Sequence, residues 1–224
     1  MILIFDLDGT LIDSVPDIHK TSNEVLAAEG LAPLDLPTVR SFIGRGVPHL
    51  VERLLGAHGI ADPARVARMI SAFGARYEDA VALTRPYDGV AGALAALAAQ
   101  GHVLGICTNK PVAPARAVLR HLGLLDHFAA IIGGDSAPQR KPDPEPLHLA
   151  IAACGGGISL YIGDSEVDAT CAAAAGVPMI LHTEGYRHTA PEALPHVALF
   201  SDFAALPGIV AELAAARAGQ KALA

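Results

Sequence analysis

The chain has 224 residues, of which 52% are hydrophobic and 17% charged, and its formal net charge is −7. That is enough apolar material for one large domain, or a domain with a modest insert, and it argues against disorder. The acidic balance offers no basic face for nucleic acid, and no apolar run approaches the roughly 18 residues that span a bilayer. The first apolar run meets Asp6 too soon for a secretory leader and has no basic stretch before it, so a cytoplasmic protein is expected.

The predicted elements alternate. A strand over Ile2–Leu7 is followed by three helices, near Val15–Glu29, Val47–His58 and Pro63–Ala80, with glycines at 44, 46, 56 and 59 marking turns between them. About 70 residues pass there without a strand signal. The pattern then runs helix Val90–Ala99, strand Val103–Cys107, helix Pro114–Leu122 and strand Ala130–Gly133. Helix Pro144–Cys154, strand Leu160–Gly163, helix Glu166–Ala175 and strand Met179–His182 follow, and the Ala-rich tail from Ala211 reads as a last helix with a frayed end. Continuously apolar strands alternating with helices imply a Rossmann-like α/β fold, a parallel sheet with helices on both faces. An insert after the first strand emerges at the carboxyl edge of the sheet, where such folds bind ligands. Residues 14–81 therefore read as an all-helical cap, and residues 1–13 with 82–224 as the core. Ser14 is expected to cap the first helix, and Asp143, before Pro144, a later one.

Three cysteines, Cys107, Cys154 and Cys171, sit among small or apolar neighbours and form no CxxC pair, so buried thiols are expected. The ten histidines are scattered without a zinc-type spacing.

Four stretches carry chemistry. In DLDGTLID, residues 6–13, Asp6 and Asp8 are two apart at a strand end, so both carboxylates can address one site while Gly9 permits a sharp turn. A solvated strand end is the alternative. Thr108-Asn109 follows the second core strand, where a hydroxyl and backbone N–H groups suit phosphoryl oxygens, or simply cap a helix. Lys141 in QRKPDPEP can balance nearby carboxylates, or sit in a solvated loop. In GDSEVDA, residues 163–169, Asp164 ends a strand and Asp168 follows at i+4; the alternative is a helix cap and a solvated Asp168.

Taken together and in this order, these stretches resemble the signatures of the haloacid-dehalogenase-like phosphohydrolases. The resemblance spans nearly the whole core and implies a Mg²⁺ ion held by the Asp6 carboxylate, the Asp8 backbone carbonyl and the Asp164 carboxylate, with Asp168 supporting from behind. It implies that Asp6 is the nucleophile, forming an aspartyl-phosphate, and that Asp8 is the general acid and base. Thr108, Asn109 and Lys141 would hold the phosphoryl oxygens and the nucleophile.

Within the family, SFIGRGVPHLVERLL is similar to the cap of the phosphoglycolate phosphatases. That similarity implies a small phosphorylated metabolite, 2-phosphoglycolate foremost, as substrate. Its carboxylate needs a second cation: Arg45 is the candidate, with a solvated Gly-Arg-Gly turn as the equal alternative, and His49 and Arg187 are weaker ones. A dehalogenase needs no acid at position 8. A phosphonate hydrolase needs a cap lysine, and residues 14–81 contain only Lys20. A sugar phosphomutase remains an alternative, better suited by a Val-type residue than by Thr10, as does a phosphatase for another small ester. A non-enzymatic phospho-acceptor domain is the reading from another class, and a cap after the first strand speaks against it. Monomer and homodimer are both compatible with the sequence.

Overall fold

The computed structural model describes residues 1–222, with side-chain environments through Arg217. Strand β1 (Ile2–Phe5) is followed by a short β2 (Ile12–Asp13), then by helices α1 (Val15–Ala28), α2 (Leu36–Arg40), α3 (Val47–Gly56) and α4 (Pro63–Tyr77). The chain returns through β3 (Arg85–Pro86) and continues as α5 (Val90–Ala99), β4 (Val103–Cys107), α6 (Val112–His121), β5 (Ala130–Ile132) and α7 (Glu145–Ala153). It closes with β6 (Ser159–Gly163), α8 (Glu166–Ala174), β7 (Met179–His182), β8 (Ala198–Phe200) and α9 (Leu206–Ala222).

Six parallel strands form the main sheet in the order β5-β4-β1-β6-β7-β8. This is the expected α/β architecture. β1 lies centrally, and its neighbours are reached by crossovers in opposite directions, which opens a crevice at its carboxyl end. Register places Phe5 opposite both Ile106 and Ile162, so the residues following all three strands emerge at one level.

Successive side chains of a strand face opposite ways. Leu3 and Phe5 enter one cluster with Leu94 and Leu97 of α5 and Val118 and Leu119 of α6, while Ile2 and Ile4 enter a second with Leu147 of α7 and Ala169 and Ala172 of α8. All three cysteines are free and buried, as the sequence leads one to expect. A third cluster, including Val25, Leu26, Val51, Leu54, Met69 and Phe73, is built from α1 to α4 with their connecting turns.

Several boundaries differ from the sequence-based expectation. β1 stops at Phe5 rather than Leu7. Asp6 N–H still donates to Ile162 O at 2.8 Å, but Leu7 O turns back to accept from Leu11 N–H at 2.9 Å. The interval from the first strand to Val103, expected to lack strands, contains both β2 and β3; the two pair antiparallel, Ile12 opposite Pro86 and Asp13 opposite Arg85. Segments of two residues carry no periodicity to read. α2, started by the Asp35 side chain accepting from Thr38 N–H at 2.9 Å, and edge strand β8 are also additional. α9 begins at Leu206, before the expected Ala211, and the end of the tail lies outside the described residues. Ser14 makes no side-chain cap; its hydroxyl instead donates to Asp8 Oδ1 at 2.6 Å. Asp143 does serve the start of α7, its Oδ1 accepting from Glu145 N–H at 2.9 Å. Among the described residues, no helix is long and apolar enough to cross a membrane.

Candidate active site

The aligned strand ends deliver Asp6 after β1, Thr108 after β4 and Asp164 after β6, while Lys141 comes from the loop between β5 and α7 and Asp168 from the first turn of α8. Asp6, Asp164 and Asp168 each have a carboxylate oxygen within 4.8 Å of the others'. All three are buried, and so is Lys141. Placing three carboxylates together away from water is costly unless cations balance them.

Lys141 supplies one positive charge. Its Nζ lies 2.7 Å from Asp168 Oδ1 and 2.8 Å from Asp6 Oδ1. It also donates to Tyr161 OH at 2.8 Å. Burial alone would lower the lysine's pKa, but Asp168 and Asp6 hold it well above the ordinary value.

The carboxylates differ in surroundings. Asp168 is fully enclosed, and the solvated reading of it is wrong. Its Oδ1 accepts from Lys141 and Tyr161, and its Oδ2 accepts from the Ser165 hydroxyl at 2.7 Å and from the N–H groups of Ser165 and Asp164 at 3.1 and 3.2 Å. Burial pushes its pKa up, yet Lys141 and these donors hold it below the usual carboxylate value. Ser165, rather than Asp164, caps α8, in a reciprocal capping box with Asp168.

Asp164 accepts from the Thr10 hydroxyl and from Tyr186 N–H, both at 2.7 Å. Burial, then Asp168 and Asp6, raise its pKa well above the ordinary value. The backbone comes close around it. A Cβ at Gly9, where φ is 91°, would meet Asp164 Oδ2 at 2.5 Å, and one at Gly185 would collide with the same carboxylate.

Asp6 is set apart. Its pKa is pushed up to about 7, chiefly by burial, against the attraction of Lys141. Its Oδ1 lies 2.8 Å from the Lys141 ammonium, which is shared with Asp168, so one cation faces three buried carboxylates. A divalent cation meets this demand. It would offset the negative charge that a single lysine leaves unbalanced.

Asp8 stands on the crevice wall with Asp6. Its Oδ1 accepts from the Ser14 hydroxyl and also from Lys110 Nζ at 3.1 Å. Lys110 further donates to Tyr77 OH of α4. Lys110 directly follows Thr108-Asn109, and the sequence alone does not set it apart from a solvated lysine. Its signal was adjacency to that pair, but its burial depends on Tyr77, far off in the chain.

Thr108 is buried, and its Oγ1 accepts from Lys110 N–H at 3.2 Å, leaving its own hydrogen free to donate. The Asn109 side chain is otherwise employed than in phosphoryl contact. Its Oδ1 accepts from Lys141 N–H, and its Nδ2 donates to Lys141 O, each at 3.0 Å, and to Gly44 O at 2.9 Å. Asn109 thus fastens the lysine's backbone and reaches the helical insert.

Arg45 is exposed and lines an outer cleft with His49, Asp6, Asp8 and Asp164. Arg187 lies elsewhere; its guanidinium donates to His182 O at 3.3 Å. Arg40, unremarked in the sequence, crosses from α2 to donate to Gly185 O at 2.8 Å, with its guanidinium 5.2 Å from the centre of the Tyr186 ring.

An open parallel sheet that collects acidic groups and a buried lysine at its switch point, beneath a helical insert, defines a Rossmann-like enzyme with its site at the carboxyl edge of the strands. The chain belongs to the haloacid dehalogenase-like hydrolases, matching that family over residues 3–182. It is 51% identical over 215 residues to a phosphoglycolate phosphatase of Cereibacter sphaeroides, covering 95% of this chain and 99% of that protein. It is 52% identical to the phosphoglycolate phosphatase of Rhodobacter capsulatus, covering 93% and 95%. Among solved structures, a predicted phosphoglycolate phosphatase from Haemophilus somnus 129PT superposes with a TM-score of 0.85 at 30% identity, covering 93% of this chain and 97% of that one. CbbY from Rhodobacter sphaeroides, solved in complex with phosphate, gives 0.79 at 25% identity, covering 92% and 96%.

Proposed function

We propose that the protein is a Mg²⁺-dependent phosphomonoester hydrolase whose principal substrate is 2-phosphoglycolate, released as glycolate and phosphate. The observation that carries the chemistry is the buried cluster of Asp6, Asp164 and Asp168, whose three carboxylates meet a single lysine, Lys141. The substrate rests on the names of the relatives at about half identity over nearly the whole length.

Asp6 and Asp164, with the Asp8 backbone carbonyl, would hold the Mg²⁺ ion. Bound there, it neutralises negative charge between nucleophile and phosphate. Asp168 positions Lys141 and the start of α8. One Asp6 oxygen attacks phosphorus, the bond from phosphorus to the leaving oxygen breaks, and Asp8 gives that oxygen its proton. A water then attacks the aspartyl-phosphate while Asp8 takes its proton, freeing phosphate and restoring Asp6. Thr108 donates to a phosphoryl oxygen, and Lys141 offsets charge beside the nucleophile. Residues 14–81 act as a cap over the core of 1–13 and 82–224, excluding water and selecting the leaving group.

Removal of divalent ions by EDTA should abolish phosphate release, and added Mg²⁺ should restore it; full activity in metal-free buffer would refute the assignment. A panel of phosphate esters with Mg²⁺, ranked by kcat/KM, tests the substrate. 2-Phosphoglycolate should be among the best, with many phosphates freed per protein molecule. A poor rank withdraws this substrate, and sugar-phosphate interconversion with little phosphate release would identify a mutase.

A further inference from the structure

We infer that Lys110, with Tyr77 beside it, rather than the exposed Arg45, recognises the carboxylate of the leaving group. This rests on the phosphoglycolate reading and assigns its specificity to residues.

Two recesses adjoin Asp6 and Asp8. The outer cleft carries Arg45, His49 and Arg53 on its wall, open to solvent. The inner recess lies between the helical insert and the sheet and contains Thr108, the phosphoryl-contacting hydroxyl. Apart from Asp6 and Asp8 its walls are largely apolar, Ile43, Val47 and Phe73 among them, and Lys110 is the one basic side chain among the described residues that line it. In such surroundings one ammonium attracts an anion far more strongly than an exposed guanidinium does, because water screens it less.

The placement suits a short leaving group. Asp8 gives its proton to the leaving oxygen, so that oxygen sits against the Asp8 carboxyl. Lys110 Nζ is 3.1 Å from Asp8 Oδ1. In glycolate a single carbon separates the leaving oxygen from the carboxylate, so the carboxylate comes within reach of the same Nζ. An ammonium has three N–H donors, and Asp8 and Tyr77 account for two. The third is available to the substrate. The ring of Tyr77, with its centre 4.2 Å from Nζ, holds the ammonium against the cap side of the recess. A carboxylate one carbon from the bridging oxygen thus meets this cation.

The test compares 2-phosphoglycolate with ethyl phosphate, which has a methyl group in place of the carboxylate, in the wild type, Lys110→Met, Lys110→Arg, Tyr77→Phe and Arg45→Ala. The preference for 2-phosphoglycolate in kcat/KM should fall roughly 10- to 100-fold in Lys110→Met, the worth of a hydrogen bond to a charged group. Much of that fall should appear in KM for 2-phosphoglycolate, and Lys110→Arg should recover part of it. If Lys110→Met slows both esters equally, the lysine only positions Asp8 and the inference is overturned. It is also overturned if Arg45→Ala, and not Lys110→Met, removes the preference. Should Lys110→Met fail to fold by circular dichroism, Lys110→Gln takes its place, and an unchanged preference in that variant overturns the inference. A wild type that hydrolyses ethyl phosphate equally well overturns the inference while leaving phosphomonoester hydrolysis standing. A wild type that turns over neither ester defeats the substrate reading itself.

Discussion

Asp6→Asn should lower phosphate release by roughly 10⁴-fold or more, the scale seen when a nucleophile is deleted, while the protein stays folded. The amide is nearly the same size but cannot attack phosphorus. The fold does not need the charge. Burial already drives the Asp6 carboxyl up to about 7. Asp168, with its five donors, keeps Lys141 paired when Asp6 is neutral. The melting temperature in metal-free buffer should therefore match or exceed that of the wild type. The extra stability that Mg²⁺ confers by binding the folded state should shrink, because one of its carboxylates is gone. Phosphate release at near wild-type rates would remove Asp6 from its role.

Lys141→Met should have the largest effect on stability. Among the described residues, the lysine is the one basic side chain in contact with the buried Asp6 and Asp168, and removing a partner from a buried ion pair costs about 3–5 kcal/mol. The sign with pH follows. Without the ammonium, burial and mutual repulsion raise the folded-state pKa of these carboxylates above their unfolded values. The penalty is then full above the raised pKa and eases as pH falls through it, because the groups take up protons. Urea unfolding should show the deficit greatest at alkaline pH and reduced in mild acid, with Mg²⁺ recovering part of it. Equal stability of variant and wild type at both pH values would contradict this. Turnover should also collapse, since Lys141 offsets charge beside the nucleophile.

The fold was legible where periodicity was strong. Ile2–Phe5 and Met179–His182 are continuous apolar runs, and α5 matches its expected limits. The acidic site was legible because Asp6, Asp8 and Asp164 follow such strands, and parallel pairing brings their ends to one level. Lys110 and Tyr186 were not legible. Lys110 bonds to residues 33 and 102 positions away, and Tyr186 N–H meets Asp164 from a loop 22 residues on. Only tertiary packing makes either residue more than a surface side chain. Asn109 was found, but its partner was not: whether an amide faces substrate or a neighbouring backbone is settled by the Lys141 loop closing on it. Arg45 shows the converse, since a Gly-Arg-Gly turn reads alike whether its arginine meets a ligand or water.

Transfer of the phosphoryl group to Asp6 can be tested by acid quench during steady turnover, borohydride reduction of the acyl phosphate and mass spectrometry of the proteolytic peptides. Substrate-dependent reduction at residue 6, absent in Asp6→Asn, is the predicted result. Active enzyme with no reduced residue, or with reduction at Asp8 or Asp164 instead, would contradict the account.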